Sequence, residues 1–326
     1  MKRLIVCLMA LMLACCAAFA EEQPVIVDEA ITETSITTGL ATDKPAQIMV
    51  SQMDNEPGAR PQMGIGSADI VYEVEIYNGG YTRYTAVFND TIPEKIEAIR
   101  SARMVNADIY LEYGGCFVHF GGQQHAGSSV YDYFKTINMQ ARYDGISDSN
   151  NFYRDNSRKA PNNVVGLLGQ MFEKVDWSGI TCKSPLVFSE DAYTVKGEPC
   201  AEFSIHYRDG YTPGYTYSDG LYYRTYNGSA HNDGITGEQL TCSNVIVHFA
   251  SYSWYGGESD RPIVGLTGTN KCEYFIDGLH FTGYWVRNSV NDSTVYYDDE
   301  GNEVVFKPGK TFVQILSDSE EVTIAE

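Results

Sequence analysis

The chain has 326 residues, with 43 acidic against 23 basic side chains and a formal net charge of −20. A surface that acidic excludes the basic footprint that nucleic-acid phosphates require, and favours solubility or cationic partners. At roughly 100–200 residues per domain, the length predicts two domains, each large enough to bury a core.

Lys2 and Arg3 precede an apolar run from Leu4 to Phe19, with Ala18 and Ala20 in an A-x-A arrangement. This is the charged, apolar and small-residue order of a signal peptide over residues 1–20, so export to the cell envelope or beyond it is expected. The run is shorter than the ~20 residues of a membrane span, and Glu21 and Glu22 follow at once. Cys15 or Cys16 would carry a lipid anchor if the leader were cut before a cysteine. The residues ahead of them, Met12-Leu13-Ala14-Cys15, fit such a site poorly and favour release. The acidic, aromatic-poor stretch over 21–44 reads as a flexible linker.

From residue 45 to 180, short strands alternate with helices. AQIMVSQ, ADIVYEVEIY and TRYTAVF read as strands, the last two joined through Asn78-Gly79-Gly80, a hairpin signal. SARMVNADIYLEY reads as a helix capped by Ser101, CFVHF as a strand, and GSSVYDYFKTI and NVVGLLGQMFEKV as helices. From 181 to 326 the runs alternate and are rich in aromatics, as in YTYSDGLYYRTY, SNVIVHFASY and CEYFIDGLHFTGYWV. The expected fold class is α+β: a mixed α/β N-terminal domain followed by a mostly antiparallel β C-terminal domain.

Five cysteines follow the leader, and export permits Cys182 with Cys200, or Cys242 with Cys272, to pair; buried free thiols are the equal alternative. Between Arg60 and Ala160 ten bases nearly balance twelve acids, and seven of the ten are arginine. Arginine gathered in one half of an acidic protein points to ion pairs or an anion site, because the guanidinium fork matches carboxylate and phosphate oxygens.

The candidate site follows from that gathering. Asp69, Glu73 and Glu75 share one face of a strand, where three acids repel unless cations lie opposite; Arg83 on the paired strand is the expected partner. Arg60, Arg83, Arg100 and Arg103 would hold an anionic group in a cleft, with Glu73 and His119 as a proton-exchanging pair if the protein is an enzyme. The same residues suit a paired structural network. His231 and Asp233, in a glycine-rich loop beside Arg224, extend the candidate binding set. His119 and His125 lack a third ligand, so no metal is expected. Gly64-Ile65-Gly66 lacks a third glycine and precedes its strand, so no cofactor is expected.

The segments ARPQMGIGSADIVYEVEI (59–76), GGYTRYTAVF (79–88), IRSARMVNADIYLEYG (99–114) and VHFGG (118–122) resemble the YerB-like family of bacterial lipoproteins, a two-part family without an established molecular function. YYRTYNGSAHNDG (222–234), SNVIVHF (243–249), GYWVRNS (283–289) and PGKTFVQIL (308–316) extend the resemblance to the second half. It implies an exported envelope protein, lipid-anchored, with one mixed and one mostly β part, and brings no catalytic residues. Three functions stand as expectations. The first is binding of an anionic cell-wall component or envelope partner through the arginines. The others are an envelope glycan hydrolase or lyase using Glu73 and His119, and a structural scaffold module.

Overall fold

The computed structural model describes residues 33–124, 128–139, 141–255 and 261–325. The expected signal peptide, Cys15, Cys16 and His125 lie outside them. In chain order the principal elements are β1 (Met49–Asp54), β2 (Ile70–Tyr77), β3 (Tyr81–Phe88), α1 (Met104–Tyr110), β4 (Cys116–His119), α2 (Val130–Thr136), β5 (Ala141–Asp144), α3 (Leu168–Lys174), β6 (Glu202–Ile205), β7 (Pro213–Ser218), β8 (Leu221–Tyr226), β9 (Asn244–Trp254), β10 (Gly268–Ile276), β11 (Leu279–Arg287), β12 (Thr311–Ser317) and β13 (Val322–Ile324).

The β2–β3 hairpin forms where the sequence marks it. Gly79 and Gly80 hold φ of 95° and 75°, a left-handed region that glycine enters without steric cost. Gly80 has a second reason to lack a side chain, since a Cβ there would lie 2.0 Å from the carbonyl oxygen of Tyr207 in the other half of the chain.

That hairpin is central to a sheet of twelve strands. Its path runs from the short Glu198–Pro199 strand through β11, β10, β9, β12, β2, β3, β1 and β4 to β5. The two halves of the sequence meet inside it, where β12 lies parallel to β2, from Thr311 opposite Ile70 to Ile315 opposite Val74. β12 is also parallel to β9. The second half is thus antiparallel in its hairpins, such as β10–β11 and β7–β8, and parallel along both sides of β12, where it meets β9 and joins β2 of the first half.

A sheet of six strands, in which β8, β7, β6 and β13 are successive neighbours, covers one face of the large sheet. Val71, Tyr84 and Ala86 pack there with Phe203, Tyr215, Tyr222 and Phe275, and α3 adds Leu168 and Met171. On the opposite face Tyr72, Val74 and Val87 pack with Val105 and Ile109 of α1 and with Val130 and Phe134 of α2. Central strands covered on both faces lose the alternation of a half-exposed strand, and only Tyr77 of β2 escapes full burial.

The body is mostly β, and its helices are single short pieces of seven residues each. α1 begins at Met104, not after Ser101, because Ala102 bridges to Gly122 and keeps the chain extended to that point. α2 has Ser129 as its cap, accepting from the Asp132 N–H. NVVG is not helical: the β-branched Val164 and Val165 pair as a strand with Phe152–Arg154, and α3 starts after it.

Two further expectations are corrected. The stretch expected as a linker is anchored from Glu33 onward: Ser35, Thr37 and Thr38 are buried, and the Thr37 hydroxyl donates to Asp69 Oδ2 at 2.8 Å. The five cysteines are free thiols. Cys242 and Cys200 belong to the core under the small sheet, whereas Cys272 and Cys182 face the helix side, so each expected pair is divided by the large sheet. No helix among the described residues is long and apolar enough to cross a membrane.

Candidate functional site

The residues expected to form one cleft are sorted onto opposite faces of the large sheet. In the β2–β3 ladder Glu73 stands opposite Tyr84 and Val74 opposite Arg83, so Arg83 cannot pair with Glu73 across the hairpin. Glu73 points toward the small sheet instead. There its Oε2 accepts from Arg224 Nη2 at 2.6 Å, and both side chains are 0% exposed. Its Oε1 accepts from Asn55 Nδ2 at 2.8 Å, Thr82 Oγ1 at 2.6 Å and the Tyr211 hydroxyl at 2.5 Å.

Arg224, on β8, is as fully engaged. Nη1 donates to the Tyr215 hydroxyl at 2.5 Å, and Nε donates to His231 Nδ1 at 3.2 Å. Because Nδ1 accepts, the His231 proton sits on Nε2, which donates to Gln62 Oε1 at 2.9 Å. Burial, with the Arg224 and Arg60 guanidiniums beside it, holds the imidazole well below its ordinary pKa, so it is neutral here. Gln314 of β12 completes the junction, accepting from Tyr207 and donating to Tyr215. Both chain halves contribute, and none of the side-chain polar atoms named here is left without a hydrogen-bond partner. The arrangement fixes the two sheets to each other, and with Glu73 0% exposed it gives the carboxylate no contact with a substrate.

Asp69 and Asp233 lie on this same side and serve the backbone. Asp69 Oδ2 accepts from the Asn89 and Asp90 N–H groups as well as from Thr37, while burial raises its pKa to about 6. Asp233 accepts from the N–H groups of Gly66, Ile235 and Thr236, tying its loop to the first half. Arg60 donates to Asn55 and lies between the Tyr211 and Tyr226 rings, 4.4 and 4.8 Å from their centroids.

His119 faces the other way. It is 0% exposed, its Nδ1 donates to the Gly121 carbonyl at 2.7 Å, and its Nε2 accepts from Arg142 Nη1 at 3.0 Å. Burial pushes its pKa down to about 4. Phe117 and Phe134 flank the ring. With the sheet between them, Glu73 and His119 line no common pocket, and the acid–base pair expected of an envelope hydrolase or lyase is not assembled.

Arg83, Arg100 and Arg103 do gather, on the helix side around Asp54 and Tyr77. Arg100 Nε is 2.9 Å from Asp54 Oδ2, Arg83 Nε is 3.9 Å from Asp54 Oδ1, and Arg103 Nη2 donates to the Tyr77 hydroxyl at 3.1 Å. Arg100 also lines an open cleft of ≈420 Å³, together with Ser101, Phe120, Gly122, Tyr131 and Arg154. Arg154 Nη1 donates to Asn163, and its guanidinium lies 5.2 Å from the Phe120 centroid. No acidic side chain among the described residues lines this cleft. Sequence reading missed Arg154 as a candidate site residue, although the arginine enrichment contains it; its strand pairs with Val164–Gly166, which in turn pairs with the distant Ile96–Glu97. Among the described residues no three His, Cys, Asp or Glu side chains converge as a metal site.

Two outcomes follow. Glu73→Gln leaves the Arg224 cation buried without its counter-charge and should cost ~3–5 kcal/mol in urea unfolding; combined with Arg224→Met the loss should be smaller than the sum of the two single losses. For His119 the native pKa of about 4 lies below the ordinary 6.5, so the unfolded chain takes the proton first. Its contribution is complete above pH 6.5 and is lost as pH falls through 4, so His119→Gln should lose about 3 kcal/mol less than the wild type between pH 7 and pH 4. Equal losses in pH-dependent unfolding would contradict this.

The comparison with known proteins agrees with this architecture. Residues 32–181 match the model described as "Protein of unknown function (DUF3048) N-terminal domain", and residues 203–313 match the corresponding C-terminal domain model. The chain is 26% identical over 328 aligned residues to a Bacillus subtilis (strain 168) protein named "Putative lipoprotein YerB", covering 94% of this chain and 93% of that one. The crystal structure of YerB from Bacillus subtilis superposes with a TM-score of 0.77 at 24% identity, over 90% of this chain and 100% of that chain, and shows the same fold. Matched in both of its parts, the chain belongs to the DUF3048 family of proteins of unknown function.

Proposed function

We propose that this protein is exported to the cell envelope and binds an anionic envelope ligand in the cleft lined by Arg100 and Arg154. The observation that carries the reading is the charge of that cleft. In a chain of net charge −20, two guanidiniums share a surface cleft whose lining has no acid among the described residues. A concave, single-sign surface concentrates the opposite charge. Phe120 and Tyr131 in the same lining offer apolar faces to the body of a ligand whose phosphate or carboxylate meets the arginines. A phosphate- or carboxylate-bearing cell-wall glycan combines those two features.

The signal-like residues 1–20 support export, and the printed name of the Bacillus relative supports a lipoprotein. Retention by a lipid on Cys15 or Cys16 belongs to the same proposal. A single acyl chain binds membranes only marginally, so a second contact, such as one with the wall, would aid retention.

Binding of teichoic acid, muropeptides and acidic glycans to the wild type and to the doubly substituted Arg100→Ala, Arg154→Ala protein tests the proposal. At least one ligand class should bind, weaken with added salt, and lose at least tenfold in affinity in the double variant, as expected for two charge-assisted contacts. No binding to any class, or equal binding by both proteins, would overturn it.

A further inference from the structure

A second concavity lies where two loops from opposite halves of the chain meet. It holds ≈310 Å³ and is lined by Pro57, Arg60 and Pro61 from the first half and by Tyr226, Ala230 and Asn232 from the second, with the His231 ring beside them. The open cleft of Arg100 and Arg154 shares none of these residues. Arg60 and His231, both read from the sequence as binding residues, thus meet here and not at that cleft. The two loops are fixed by the protein itself. Gln62 joins them twice, its Oε1 accepting from His231 Nε2 at 2.9 Å and its carbonyl from the Gly234 N–H at 2.7 Å. Arg158 donates to the carbonyls of Ala59 and Pro61, on either side of Arg60. Walls set in advance spare a ligand the cost of ordering them.

The lining selects one kind of ligand. Arg60 is its charged side chain, and no acidic side chain among the described residues accompanies it. The Arg60 Nε and Nη2 atoms donate to the side-chain and backbone oxygens of Asn55, and the Tyr211 and Tyr226 rings lie against the guanidinium. Both acceptors are neutral. Glu73, which Asn55 also bonds, is already paired with Arg224. Among the described residues, Arg60 Nη1, the Asn232 carboxamide and the Tyr226 hydroxyl have no protein hydrogen-bond partner. His231 differs from them: Arg224 and Gln62 engage both of its ring nitrogens, so it forms wall and offers no proton.

A carboxylate carries one charge, whereas a phosphate monoester carries ~1.5–2 at pH 7, so a single guanidinium balances a carboxylate. The planar fork of arginine suits carboxylate oxygens. A carboxamide offers a donor and an acceptor, the same pair that a peptide group presents next to a chain-terminal carboxylate. Pro57, Pro61 and the Tyr226 ring give apolar surface to the last side chain of such a ligand. We propose that this cavity binds the carboxyl terminus of a short peptide, with Arg60 on the carboxylate and Asn232 on the adjoining peptide group. The site needs neither Arg100 nor Arg154, and it stands or falls independently of glycan binding.

Isothermal titration of the intact protein with N-acetyl dipeptides ending in Ala, Leu or Phe, each as the free acid and as the C-terminal amide, tests this. At least one free acid should bind once per chain, and its amide should bind weaker by roughly tenfold or more, as expected when a charged hydrogen bond is lost. Arg60→Gln should weaken the free acid by a similar factor. Because Arg60 also bonds Asn55, that variant can fail to fold; Asn232→Ala removes an exposed side chain and should weaken binding several-fold, which keeps the test open. No binding of any free acid, equal binding of acid and amide, or unchanged binding by the folded variants overturns the proposal. Loss of the peptide in the Arg100→Ala, Arg154→Ala protein without loss in Arg60→Gln would place it in the open cleft and overturn it equally.

Discussion

The ion pair between Glu73 and Arg224 is the contact on which the architecture depends. Both side chains are fully buried, and they come from positions 151 residues apart in the chain. Removing two charges from water costs several kcal/mol per ion unless each is paired and its remaining hydrogen-bonding capacity is filled. Here Asn55, Thr82 and Tyr211 fill the carboxylate, and Tyr215 and His231 fill the guanidinium. Such a network is satisfied in one relative position of the two sheets and penalised in any other. The parallel β12–β2 ladder fixes the same register from the backbone side. Of the tyrosines of the second half, Tyr207, Tyr211 and Tyr215 are the network's buried hydrogen-bonding partners.

Charge is divided by the sheet. Toward the small sheet, acids and bases cancel locally, as at Glu73, or acids serve backbone N–H groups, as at Asp69 and Asp233. Toward the helices, arginines gather around Tyr77 and along the cleft of Arg100 and Arg154. The first side spends its polar groups on holding the fold together. The second presents guanidiniums at an open cleft, where an anion would meet them.

Much of this was legible in the sequence, for definable reasons. The β2–β3 hairpin, β1 and β4 carry local signals, in glycines at the turn and β-branched runs in the strands, and each forms where expected. The arginine enrichment also marked the half of the chain in which Arg83, Arg100 and Arg103 gather. The partner of Glu73 was not legible: alternation places Glu73 on a face, but which strand from the distant half covers that face is a tertiary fact. Arg83 was the nearest cation in sequence, yet its register opposite Val74 turns it away. His119, alone in an apolar strand, read more readily as core than as catalyst, and two hydrogen bonds inside an aromatic pocket make it core. NVVG read as helical because local propensity favoured the following LGQMFEK; burial against Phe152 decided otherwise.

If the buried junction and the shared sheet bind both halves into one unit, neither half has a core of its own to unfold separately. Differential scanning calorimetry measures this directly. The account predicts one transition, with equal calorimetric and van't Hoff enthalpies, that Glu73→Gln shifts to lower temperature as a whole. Two separable transitions, or a shift confined to one of them, would contradict it.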